Sequence, residues 1–129
     1  MLSLILSIVL NLVASATYLF WCYLDYEGGT GGSSDIKWQW AAPAGATLRY
    51  GLAHVGQANN VDVGNTYQAS DIPTGRTQGA GVLSGAIMTG SLVMSTTAGS
   101  LQLKWSQNTS NATATIVHAQ SMLALWRVT

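Results

Sequence analysis

The chain has 129 residues and a mass of 13.6 kDa, the size of one domain spanning residues 1–129. It is 48% hydrophobic but only 8% charged, with five Lys/Arg balancing five Asp/Glu, where an ordinary soluble domain is roughly 25% charged. This excludes a nucleic-acid binder, which needs a basic field, a disordered segment, which needs high charge, and, with Cys22 as the single cysteine, a disulfide-stapled mini-protein.

Residues 1–24 contain no Asp, Glu, Lys, Arg or His, and nineteen of them are apolar. By length this is a candidate membrane span. Ser3, Ser7, Asn11 and Ser15 recur at every fourth position, as on one helix face. Three features oppose a span. No Lys or Arg precedes the stretch as an orientation cue. No small-residue cleavage site is followed by a clean mature start. The stretch also runs into residues 17–26, TYLFWCYLDY, which are rich in aromatic and β-preferring types. An anchor and a buried strand pair read alike in a hydropathy window, and both stand at this point.

Beyond residue 26 the patterning is β. Gly28 to Ser34 reads as a flexible loop. Ile36, Trp38 and Trp40 alternate with Lys37 and Gln39, the period of a half-buried strand. Ala42 to Ala46 reads as a three-residue hairpin turn, with Pro43 presetting the first central dihedral and Gly45 in the left-handed region. Thr47 to His54 returns with Leu48, Tyr50 and Leu52 on one side. Residues 55–80 lack periodicity, so the expectation is a long loop with one short strand near Tyr67. Gly81 to Ser95 reads as a strand bent at Gly85 or Gly90. A turn at residues 96–99 leads to Leu101, Leu103 and Trp105 alternating with Gln102, Lys104 and Ser106. After a turn at residues 107–111, Thr113 to His118 and Ser121 to Val128 read as the last two strands. About eight strands without a helix make a sandwich, jelly roll or barrel.

Three segments carry a resemblance when taken together. They are residues 9–28, residues 41–47 (AAPAGAT) and residues 98–115 (AGSLQLKWSQNTSNATAT), the last closing on residues 121–128 (SMLALWRV). This set resembles a family of small virion proteins of tailed bacteriophages, described as capsid decoration, head-fibre or minor tail proteins. The layout is also similar to the jelly roll of C1q and tumour necrosis factor. The resemblance implies a single all-β jelly-roll sandwich of about eight antiparallel strands, trimeric, with residues 4–15 in a strand. It implies a non-enzymatic virion protein on the outer surface of the particle, whose partners are its own copies and the phage major capsid protein. By the same analogy Leu123, Leu125 and Arg127 on the final strand are the candidate trimer interface. Trp21 and Cys22 depart from the pattern, because they make the second strand apolar on both faces; its other face is expected to be covered by a neighbouring subunit or a host surface.

No residue constellation argues for catalysis, a cofactor or a metal. His54 and His118 lie in no ligand-spaced cluster. Cys22 reads as a small buried hydrophobe. Asp25, Glu27 and Asp35 flank one loop and invite comparison with a weak calcium site, but turn capping and solubility explain them, as they explain Asp62 and Asp71. The glycine clusters are followed by no Lys-Ser/Thr and open no helix, so they are not phosphate loops. Asn108 and Asn111 begin formal glycosylation acceptors that read as turn residues. Core packing accounts for most of the five tryptophans, leaving one or two as a stacking platform for sugars. In the long loop, Arg76 and Tyr67 are the candidate partner contacts, since interfaces favour Arg and aromatic side chains. The leading expectation is therefore a homotrimeric capsid decoration protein. The alternatives are a receptor- or glycan-binding domain of a fibre or tail tip, and a membrane-anchored β domain.

Overall fold

The computed structural model describes residues 10–29, 35–55, 61–62 and 65–129. Among them are eleven strands and no helix: β1 (Leu10–Leu12), β2 (Thr17–Gly28), β3 (Ile36–Ala41), β4 (Thr47–Val55), β5 (Val61–Asp62), β6 (Thr66–Gln68), β7 (Thr74–Gly75), β8 (Gly79–Val93), β9 (Gly99–Gln107), β10 (Ile116–Val117) and β11 (Met122–Arg127). They form two antiparallel sheets. The smaller has the order β1-β9-β3-β7; the larger has the order β10-β2-β8-β4-β5, with β11 also on β2 and β6 also on β4. From β1 to β4 the chain changes sheet at every strand, and it does so again from β6 to β10, while β4 to β6 stay in the larger sheet, as do β10 and β11. Apart from β4 with β5 and β6, sheet neighbours are therefore distant in sequence, and this winding is that of a jelly-roll sandwich.

Alternation builds the core. Tyr18, Phe20, Cys22 and Leu24 of β2 face Trp38 and Trp40 of β3 and Leu101, Leu103 and Trp105 of β9 across the sandwich, all in one buried cluster. Phe20 meets Trp40 edge-on, with ring centroids 5.2 Å apart at 63°. Tyr26 and Trp38 lie 6.3 Å apart. Such pairs add to the burial of large rings.

Several local expectations hold. Leu48, Tyr50 and Leu52 are buried, and a short strand, β6, does contain Tyr67. Others change. The Pro43–Ala46 turn is closed by Ala46 N–H donating to the Pro43 carbonyl at 3.0 Å, with Gly45 at φ 73°. Its central residues are thus Ala44 and Gly45, and Pro43 occupies the preceding position. It is also no hairpin, because β3 and β4 belong to different sheets; Trp38, Trp40 and Leu48 each need the core, and a corner between layers satisfies all three. The β2–β8 register runs unbroken past Gly85 and Gly90 and shifts only between Tyr26 and Gly28. The penultimate strand shrinks to β10, two residues long. Residues 4–9 and 30–34, expected as strand and loop, lie outside the described residues. Among the described residues no helix is long and apolar enough to cross a membrane.

Gly90 sits between Phe20 and Tyr50 in the register. A Cβ there would run into the Arg49 carbonyl oxygen and the Tyr50 Cα, whereas one on Gly51 would meet nothing within 4 Å. Gly90→Ala is expected to destabilise the fold by about 3 kcal/mol through overpacking against backbone. Gly51→Ala should be neutral or stabilising by up to about 1 kcal/mol, because it restricts the unfolded chain. Urea midpoints of the two variants, at unchanged slope, check the contrast.

Candidate functional site

The strand alternation that fills the core gives the two sheets opposite outward faces. On the smaller sheet Lys37 and Gln39 of β3 stand outward, with Lys104 beside Gln39 and Gln102 beside Ala41. This face is polar, as the alternation of residues 36–40 predicts. On the larger sheet the outward residues of β2 are Leu19, Trp21 and Tyr23. Met122, Ala124 and Trp126 of β11 lie beside Tyr23, Trp21 and Leu19 respectively. On the other flank of β2, Ser91, Thr89 and Ile87 of β8 stand opposite the same three. Directly opposed residues on paired strands share a face, so these side chains form one continuous patch.

The patch is apolar and open. Leu19 is 48% exposed, Ile87 41%, Met122 46% and Trp126 56%. Trp21 and Tyr23 stack with ring centroids 6.3 Å apart and planes within 14°. Beside this ridge the face drops into a hollow of about 340 Å³, bordered by Leu19 and Arg49 and floored at Gly51, Thr89, Gly90 and Ser91. The hollow exists because Gly51 supplies no side chain between Arg49 and Ala53 on the outward side of β4. From Thr17 to Tyr23 and across β11, β8 and β4, Arg49 is the one charged side chain on the described part of this face. A contiguous apolar patch of this kind marks an interaction site more often than a free surface.

The sequence-selected residues are dispersed. Leu123 and Leu125 lie opposite Cys22 and Phe20 and pack partly buried against the core. Arg127 is on the same side of β11, at its exposed end, with Nε donating to the Thr129 carbonyl at 2.8 Å. The outward set on β11 is therefore the other alternation, Met122, Ala124 and Trp126. Residues 122–127 carry apolar side chains at both parities, so the sequence of this strand does not choose a side; the register with β2 does. Tyr67 leans on Tyr50 with centroids 5.5 Å apart, at the margin of the core and off the outward patch. Arg76 follows β7, and its carbonyl accepts the Tyr26 hydroxyl at 3.2 Å. Neither joins the patch. Trp38, Trp40 and Trp105 are buried in the core, while Trp126 is exposed and Trp21 is half-buried on the same outward face.

The acids accept backbone N–H groups, Glu27 and Asp35 from distant segments and Asp71 within its own turn. Glu27 Oε2 accepts from Gly81 N–H at 2.6 Å, Asp35 Oδ1 from Thr77 N–H at 3.3 Å and Asp71 Oδ2 from Gln68 N–H at 2.7 Å. His118 Nε2 stands 3.7 Å from Glu27 Oε1, and His54 packs edge-on against Trp38 at 5.8 Å. Among the described residues no three His, Cys, Asp or Glu side chains are grouped to hold a metal ion. Asn111 Oδ1 accepts from Thr113 N–H at 2.8 Å, a local turn.

No protein-family model, curated protein or solved structure matches the chain.

Burial pushes the Cys22 thiol from its ordinary 9.0 up to about 12. It also raises the Tyr26 and Tyr50 hydroxyls, aided by Asp35 at the first and by Asp71 and Tyr67 at the second. In each case the folded state favours the neutral form while the unfolded chain ionises at lower pH. Stability is therefore full below pH 9 and falls as pH rises toward 12, with Cys22 alone contributing a slope of about 1.4 kcal/mol per pH unit in that window. The tyrosines steepen the loss above their ordinary value of 10.0. Alkaline denaturation followed by near-ultraviolet absorbance checks this. A thiol reagent at neutral pH should modify Cys22 only after denaturant is added.

Proposed function

We propose that the chain is a non-enzymatic structural protein of a phage virion, a homotrimer that decorates the outside of the assembled head and stabilises it. The observation that carries this reading is the pairing of an apolar outward face on one sheet with a polar outward face on the other, in a chain with 8% charged residues. A protein designed to stay monomeric would spend charge on such a face. An assembly component covers it. The polar face, with Lys37, Gln39, Gln102 and Lys104, is then left to solvent and to the shell. The resemblance of residues 98–115 and 121–128 to small virion proteins supports the same reading.

Stabilisation of the head follows from mass action. A protein that binds the assembled shell and not its dissociated subunits shifts assembly by RT ln(1 + [L]/Kd), about 2.7 kcal/mol per site at a hundredfold excess over Kd. A closed three-fold oligomer suits a local three-fold position on the shell.

The stacked pair Trp21–Tyr23 and the neighbouring Trp126 favour a second reading, a glycan-binding domain at a fibre or tail tip, since exposed aromatic planes carry sugars as well as protein. Copy number separates the two. Electron cryomicroscopy of particles with and without the protein should show added density at hundreds of repeated sites on the head, and heads lacking it should rupture at lower temperature. Density confined to a few copies at the tail, or Trp126→Ala abolishing binding on a glycan array, would replace the decoration reading with the receptor one.

A further inference from the structure

We infer that the hollow over Gly51 is a binding site for a single sugar ring that carries a carboxylate, the chemistry of a uronic acid. The inference goes beyond the decoration reading and does not rest on it. The hollow centres on β4, across β8 from the ridge of β2 and β11, so a contact over the ridge leaves it at the rim.

Three observations carry the inference. The first is shape. Gly51 lies between Thr89 of β8 and Thr66 of β6 in the register, and a Cβ on it would meet nothing within 4 Å. The space of about 340 Å³ is at the small end of ligand sites, which run from about 300 to 1,000 Å³, so it suits one ring. The second is polarity. Thr89 and Thr66 line the hollow from opposite sides, their backbones two strand spacings or roughly 10 Å apart, and Ser91 adds a third hydroxyl at the Arg49 end. Hydroxyls both donate and accept, which is what the hydroxyls of a sugar demand, while Leu19 offers an apolar side to its C–H face. The third is charge. Arg49 stands about 7 Å along β4 from Gly51, within reach of its own long side chain. It is exposed, and the ion pair among the described residues is elsewhere, between His118 and Glu27. Asp71, just beyond the Gln68 that stands opposite Arg49, accepts the Gln68 N–H at 2.7 Å. Asp25 and Glu27, on the outward side of β2, lie roughly 20 Å or more along that strand from Leu19. A guanidinium fork meets a carboxylate with two parallel hydrogen bonds. No second cation lines the hollow among the described residues, so one negative charge is matched and a phosphate dianion is not.

Titration of the isotope-labelled protein with galacturonic acid, galactose and acetate, followed by amide shifts in nuclear magnetic resonance, tests this. Galacturonic acid is expected to move Gly51, Thr66 and Thr89 and to saturate. Galactose has the ring without the carboxylate and acetate the carboxylate without the ring, and each should bind at least about tenfold more weakly. Arg49→Gln should weaken galacturonic acid roughly tenfold to a hundredfold and leave galactose unchanged. Gly51→Val, which fills the hollow, should abolish binding, and Trp126→Ala on the ridge should not alter it. Far-ultraviolet circular dichroism checks that each variant keeps the β fold. Folded Arg49→Gln and Gly51→Val variants that bind as wild type would overturn the site. Galactose binding as tightly as galacturonic acid would overturn the recognition of charge, and acetate binding as tightly would overturn the recognition of a ring. Galacturonic acid that does not bind at all would overturn the whole inference and leave the decoration reading standing.

Discussion

β2 and β8 pair over ten consecutive positions, from Thr17 opposite Val93 to Tyr26 opposite Ser84, and the other strands of the larger sheet are built outward from that pair. Its register decides which residues become core. A slip by one residue would exchange Phe20, Cys22 and Leu24 for Leu19, Trp21 and Tyr23. In most sheets such a slip is forbidden because it would bury polar groups. Here both faces of β2 are apolar, so hydrophobicity discriminates weakly. Shape does the discriminating. Gly90 lies where the β4 backbone at Arg49 and Tyr50 closes in and leaves no room for a Cβ, and the Tyr23 ring lies over Gly85. Gly85 thus marks the register of β8 on β2 and Gly90 that of β8 on β4, which the apolar pattern alone leaves open.

This explains what was readable in the sequence. The inward residues of β3, β4 and β9 were legible because each of those strands alternates with Lys, Gln, Arg or Ser, and a period of two is then unambiguous. The all-β winding followed from the spacing of turns. The facing of β2 and β11 was not legible, because Trp21 next to Cys22 and Leu125 next to Trp126 give no polar phase to read. The face of β11 chosen from the sequence, Leu123 and Leu125, is the one that packs against the core. The 42–46 turn was recognised as a turn, but whether it joins strands of one sheet or of two depends on long-range pairing, to which local turn chemistry is blind. The hollow at Gly51 was invisible for the same reason: it is lined from β2, β4, β6 and β8, which long-range pairing brings together.

The low charge of the chain reads differently once the two faces are separated. Ten charged side chains would be few for a free domain of this size. Yet the smaller sheet carries an ordinary polar outer face, so the deficit is not uniform. It is concentrated on the described outward face of β11, β2 and β8, which shows none between Thr17 and Tyr23 or at the positions paired with them. Local depletion of charge with local enrichment of aromatic and Met side chains is the compositional signature of an interface core rather than of poor solubility.

The described sheet edges sharpen that distinction. A β protein can associate by adding strands edge to edge or by packing faces. Long, flat edges invite the first. Here the described extents of β5, β7 and β10 are two residues each and those of β1 and β6 three. β11, at six residues, is the longest described strand at an edge, and it ends in Arg127, whose guanidinium folds back onto Thr129. The available backbone is therefore short or capped, while the available apolar area lies flat on the larger sheet. The exposed apolar side chains of β2, β8 and β11 thus lie on the flat of the larger sheet and not along its edges.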